Sequence, residues 1–242
     1  MPVSLVNPVL AVETVLGWAV RGSAQFICVR DVHGVMLAQD DDGLMDIHRQ
    51  AGMVLPDGMP LVGLARWRGH SHVARTCGPD FVDALCAGGI ATGLRHYFFG
   101  GKPGVAEAMA AALADRHPGL VVAGTSTPPF RTLSMEEDGA ATQQIIDAKP
   151  DIVWIGLSTP KQEYWMRDHV DRIPGATLIG VGAAFDFHTG AVSRAPRWMQ
   201  RSGLEWLHRL VSEPRRLWRR YLVLAPRFVW RLATSKPSGD IA

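Results

Sequence analysis

The residues best equipped for chemistry cluster at six places, each where an apolar run gives way to turn or helix residues. Pro160-Lys161-Gln162-Glu163 comes soon after Ile152-Val153-Trp154-Ile155. A buried strand opening onto an amine, an amide and a carboxylate offers donors and acceptors of every type at one rim. Recognition of a nucleoside base or ribose calls for such a mixture. The plainer reading is a solvated helix start whose carboxylate the helix dipole favours. Gly180-Val181-Gly182-Ala183-Ala184-Phe185-Asp186 has small residues that permit close backbone approach. Its Asp186 can accept from a ribose hydroxyl or a base N–H, or simply cap a loop. Gly100-Gly101-Lys102 lies between an apolar run and a helical pattern, which suits an anion at a helix N-terminus and equally a tight turn. It is neither GxGxxG nor GxxxxGKS, so neither dinucleotide binding nor P-loop chemistry follows.

The other three places carry isolated charges. Pro56-Asp57-Gly58 is first of all a turn signal. Asp31, in Val29-Arg30-Asp31, stands at a strand-to-helix junction, and Arg75 adds a cation shortly before a helix begun by Pro79. Asp40-Asp41-Asp42-Gly43 contains a DxD of the kind that can hold a metal, but it follows a helical stretch and reads as a solvated loop. His70 and His72 have no Cys or third ligand nearby, so no metal site is expected.

Holding these residues at one rim takes a strand-and-helix frame, and the pattern supplies one. Short apolar runs at 25–29, 54–55, 96–99, 120–123, 152–156 and 177–181 alternate with amphipathic stretches at 13–21, 32–39, 79–88, 105–116, 135–148 and 161–172. Such alternation predicts an α/β, Rossmann-like, mostly parallel sheet flanked by helices. In open sheets of this kind ligands bind beyond the carboxyl ends of the strands. After Gly190 the pattern changes to successive helices broken at Pro214 and Pro226, with Leu204, Leu207, Leu210 and Val211 as one apolar stripe. The expected organisation is an α/β core over 1–193 and a basic helical appendage over 194–242.

Composition narrows the function classes. The 242 residues are 47% hydrophobic and 20% charged, ordinary globular values, and no uncharged stretch approaches the roughly 20 residues of a membrane span. The N-terminus lacks a basic leader region and reads as part of the domain. Cys28, Cys77 and Cys86 show no metal or disulfide spacing, as in a reducing cytoplasm. The net charge of +2 conceals ten arginines against two acids between Arg194 and Arg231, so the rest of the chain is acidic. Four of the eight tryptophans, Trp198, Trp206, Trp218 and Trp230, share that basic end. Interleaved Arg and Trp also suit nucleic acid, but positive charge confined to one end of an acidic globule disfavours it. A nicotinamide-dependent oxidoreductase has the fold in its favour and lacks the glycine fingerprint.

Taken in order, Pro56-Asp57-Gly58, Arg75-x-x-Gly78, Gly100-Gly101-Lys102-Pro103-Gly104, Pro160-Lys161-Gln162-Glu163, Gly180-to-Asp186 and Arg194-Ala195-Pro196-Arg197-Trp198 resemble the WecG/TagA/CpsF glycosyltransferases over nearly the whole chain. The resemblance implies a cytoplasmic enzyme. The arginines and tryptophans of the basic tail suit peripheral docking on the inner leaflet of the cell membrane, or else simply a helical core with a wet arginine face. The enzyme would make an inverting transfer from a UDP-sugar to a saccharide on a polyprenyl pyrophosphate, using no metal or other cofactor, in cell-surface polymer synthesis. It further implies that Asp57, beside Gly58, is the general base and that Arg75 faces the departing pyrophosphate. Gln162 and Asp186 would hold the uridine, Lys161 and Glu163 would line that pocket, and Arg209, Arg216 and Arg219 would close over the nucleotide. Members commonly have Thr-x-Asn where this chain has Val29-Arg30-Asp31; Asp31 could orient the acceptor, suit a different donor sugar or share the base role. Self-association is left open.

Overall fold

The computed structural model describes residues 1–234, so the last eight residues of the expected appendage lie outside it. Six strands form one parallel sheet: β1 (Gln25–Arg30), β2 (Met53–Pro56), β3 (Arg95–Gly100), β4 (Val121–Ser126), β5 (Ile152–Gly156) and β6 (Thr177–Gly180). Their order is β2-β1-β6-β5-β3-β4. All six sequence-predicted strands are present. Nine helices precede the appendage: α1 (Pro8–Val20), α2 (Val32–Asp40), α3 (Asp42–Gln50), α4 (Met59–Trp67), α5 (Gly78–Gly89), α6 (Val105–Arg116), α7 (Met135–Asp147), α8 (Lys161–His169) and α9 (Ala184–His188).

Both sheet faces are covered, which is why the strands read as continuous apolar runs. Ile152 and Trp154 of β5 pack with α1, α5 and α6 residues such as Val15, Leu85 and Leu113. Val153 and Ile155, pointing the other way, pack with Ile47, Ile145 and Met166. The parallel arrangement brings all six carboxyl ends to one rim. The order of strand addition reverses between β3 and β5: β3 leads to β4 on one side, while β5 leads to β6 on the other.

Three helices escaped the sequence pattern. The Asp40-Asp41-Asp42 run is not a solvated loop: Asp41 caps α3, accepting from the Leu44 N–H at 3.0 Å and from the Tyr164 hydroxyl at 2.9 Å. Asp40 is paired to Arg227 at 2.5 Å. α4 begins directly after Gly58 with Pro60 in its first turn. α9 is only five residues long, too short for a periodicity signal.

The expected boundary at 193/194 falls in the connection from α9 to the C-terminal helices. These are α10 (Arg197–Arg201), α11 (Glu205–Ser212) and α12 (Pro214–Trp218), then a π-helical stretch, Arg219–Leu224, and α13 (Ala225–Thr234). The last two pack against α2. Among the described residues no helix is long and apolar enough to cross a membrane.

Candidate active site

β1 and β2 end in register, Arg30 beside Pro56, and the Asp57 N–H continues the ladder by donating to the Arg30 carbonyl at 2.8 Å. Adjacent strand ends therefore deliver Asp31 and Asp57 side by side. Asp31 caps α2, one carboxylate oxygen accepting from the Gly34 N–H at 3.2 Å and the other from Arg220 at 2.5 Å. Among the described residues Asp57 accepts at one carboxylate oxygen only, from Arg75 Nη2 at 3.2 Å, while Arg75 Nε donates to the Asp57 backbone carbonyl at 2.6 Å.

The two carboxyls are pushed in opposite directions. Burial raises Asp57 above the usual carboxylate range, and Arg75 only partly opposes it. Burial also works on Asp31, but the charge and hydrogen bonds of Arg220 outweigh it and hold the carboxyl down at about 2. The two neighbouring acids are thus pushed apart, Asp31 toward the ionised form and Asp57 toward greater basicity.

A cavity of about 240 Å³ opens onto both acids, lined also by Arg75, Arg194, Arg209 and Arg220. Its roof is the appendage. Glu205 reaches Arg75 at 2.8 Å, Trp206 and Tyr221 add apolar surface, and Arg209 lies over the Phe187 ring at 5.5 Å. Of the three tail arginines expected to close over a nucleotide, only Arg209 lines the cavity. Arg216 is paired with Glu213 at 2.5 Å, and the exposed Arg219 lies 6.0 Å from the ring of its neighbour Trp218. Arg220, in the π-helical stretch Arg219–Leu224 and three positions after the buried Leu217, takes an inward position. Arg194, which also ion-pairs with Asp80, and Glu205 went unassigned in the sequence. The signal for Glu205 was its being one of only two acids in that basic stretch.

The remaining candidates occupy the β3–β5–β6 part of the rim and do not line this cavity. Gln162 is 3% exposed, pressed against Gly180 and Gly182, and its Oε1 is buried without a partner among the described residues. An orphaned buried acceptor is rare and calls for an explanation; a ligand donor is one. Glu163 corrects its expectation: it is 0% exposed, held by Arg30, and faces no pocket. That pair also engages Thr159 and the buried His48, whose Nε2 accepts from Arg30 Nε at 2.6 Å. Lys161 is exposed, its Nζ 4.9 Å from the Phe130 ring centroid. Lys102 is likewise exposed, and Asp186 is half-buried in α9. Gly100 and Gly101 serve packing as well as turn geometry. Gly100 has φ +123° and abuts the Gly156 backbone, while Gly101 and Gly156 make room for the buried Phe185 ring. Among the described residues no three His, Cys, Asp or Glu side chains converge as metal ligands do.

An N-acetylglucosaminyldiphosphoundecaprenol N-acetyl-beta-D-mannosaminyltransferase of Bacillus subtilis (strain 168) is 30% identical over 182 residues, 75% of this chain and 69% of the relative. The profile of the glycosyl transferase WecG/TagA/CpsF family matches residues 1–240. The chain belongs to the WecG/TagA/CpsF family and is a glycosyltransferase of the hexosyl-transferring kind.

Proposed function

We propose that the enzyme moves a sugar from a UDP-sugar to a hydroxyl of a saccharide carried on a polyprenyl diphosphate, with inversion and without a metal, in the synthesis of a cell-surface polymer. The relative's name supports the acceptor class, since that protein acts on an N-acetylglucosaminyl-diphospho-undecaprenol. The observation that carries the chemistry is the pairing of a raised carboxyl, Asp57, with a cluster of guanidinium groups in one roofed cavity.

In this mechanism Asp57, with one oxygen unengaged among the described residues, takes the proton from the acceptor hydroxyl. The oxygen so activated attacks the anomeric carbon from the side opposite the leaving UDP. Arg209 and Arg194 meet the diphosphate charge, the planar guanidinium fork matching phosphate oxygens. Asp31, with both oxygens engaged, anchors Arg220 and does not act as base. Arg75 positions Asp57. The cavity is smaller than the 300–1,000 Å³ of typical ligand sites. The uridine therefore extends past it toward β5 and β6, where the unpartnered Gln162 oxygen reads the base and Asp186 and Lys161 flank it. The appendage's outer face, with Trp198 63% and Trp230 54% exposed among arginines, lies against the anionic leaflet that carries the acceptor.

The test is UDP release from candidate donors with a synthetic N-acetylglucosaminyl lipid diphosphate. Asp57→Asn lowers turnover about 10²–10⁴-fold, roughly 3–5 kcal/mol of barrier, while UDP binding by calorimetry persists. Near-wild-type turnover would remove Asp57 from the mechanism.

A further inference from the structure

Arg75 serves two acids through one nitrogen. Its Nη2 lies 2.8 Å from Glu205 Oε2 and 3.2 Å from Asp57 Oδ1. The shorter contact goes to the carboxylate from α11, 130 positions away in the chain, and not to the one whose own backbone carbonyl already holds Arg75 Nε. Glu205 is only 12% exposed; it sits in the first turn of α11, where the helix dipole favours an acid, but it forms no side-chain cap.

We propose that Glu205 is a positioning residue for the reaction: docked with the appendage, it takes the near side of Arg75 and leaves the Asp57 carboxylate free to accept a proton. The inference rests on reading Asp57 as the base. A carboxylate gripped by a guanidinium is a poor base, because the charged form is held by charge-assisted hydrogen bonds. Six groups bear on Asp57. Arg75 and Cys77 come from the segment before α5, Asp31 from the β1–α2 junction, Glu205 from α11, and Arg220 and Tyr221 from the π-helical stretch. Arg75 and Arg220 favour the ionised form, whereas Asp31 and Glu205 oppose it. Removing the Glu205 charge acts twice in one direction. It deletes a like charge whose oxygen lies at most about 6 Å from that of Asp57, and it returns Arg75 Nη2 to Asp57 undivided. Both changes stabilise ionised Asp57 and weaken it as a base. The appendage thus completes the catalytic acid–base environment as well as covering it.

The experiment is the pH profile of kcat/KM for the full chain and its Glu205→Gln variant, read by UDP release. The acid limb of the variant moves down by on the order of one pH unit. Its plateau kcat falls several-fold, while KM for the nucleotide sugar hardly changes. Glu205→Asp, which keeps the charge, restores most of the profile. Titration of the Asp57 carboxyl by ¹³C NMR reads the same downward shift without needing turnover. An Asp57 titration unmoved or moved upward in Glu205→Gln, with Asp57→Asn inactive, overturns the role of Glu205 alone. An active Asp57→Asn overturns the base itself.

Discussion

The Asp31–Arg220 pair should hold the appendage on the core, and its strength can be worked from the carboxyl. Asp31 falls from an ordinary value of 3.8 to about 2. A shift of nearly two units corresponds to about 2 kcal/mol. Burial acts against ionisation and is already included in that net figure, so replacing Arg220 by Met leaves a buried carboxylate unpaired and costs at least about 2 kcal/mol at neutral pH. Because Arg220 lies in the π-helical stretch that packs on α2, the loss should appear as local opening of the appendage. Thermolysin cleavage of native protein then accelerates about 30-fold for 2 kcal/mol if opening is fast relative to cutting. The pH dependence supplies the control. A carboxyl depressed in the folded state stabilises the fold above its unfolded value and ceases to do so as pH drops through its folded value. The stability gap between wild type and Arg220→Met in urea therefore closes between about pH 4 and about pH 2. Cleavage rates within twofold of each other at pH 7, or a gap that survives at pH 2, would refute the reasoning.

Two further outcomes follow from the structure. Burial lowers His48 and His96 to about 4, with Arg30 adding to the effect at His48, so both rings are neutral when folded. Stability is therefore full above about pH 6.5 and falls by about 3 kcal/mol per histidine as pH drops to about 4, with His48→Gln flattening part of that slope in urea titrations. In the full chain, replacing Trp198 and Trp230 with Ser weakens sedimentation with phosphatidylserine vesicles at least about tenfold, or about 1.4 kcal/mol, and unchanged binding would detach membrane docking from this face.

Five of the strands were legible because they are largely buried and run into Gly, Pro or Asp, whereas the edge strand β4 has no buried residue and ends at Ser126. Asp57 and Arg75 could be flagged one at a time, but their convergence with Asp31 depends on β1 lying beside β2, which no local pattern encodes. Glu163 was misplaced for a related reason. At a helix start the sequence shows a polar residue, and only the packing of α8 on β1 reveals that Arg30 waits beneath it. Even Gly34 belongs to that arrangement, since a Cβ there would fall 2.4 Å from Arg30 Cδ. Of the expected tail arginines Arg209 lines the cavity, whereas Arg216 and Arg219 do not and Arg220, which the sequence did not single out, does.

The roof carries both signs of charge, and that choice has a physical logic. Under the proposed reaction, a roof of unpaired arginines would lower the basicity of the Asp57 carboxylate and would cling to a diphosphate product. Here Arg220 is paired with Asp31, Arg75 is shared between Asp57 and Glu205, and Arg194 is paired with Asp80. Arg209, over the Phe187 ring and with its Nε buried without a partner, has no carboxylate within ion-pair distance among the described residues. Under the proposed reaction, an arriving diphosphate would meet one uncommitted guanidinium first and would compete with carboxylates for the others. Such competition weakens ground-state binding of substrate and product alike. Charge that builds on the leaving oxygen during transfer competes better than the resting diphosphate does, which biases the cluster toward the transition state.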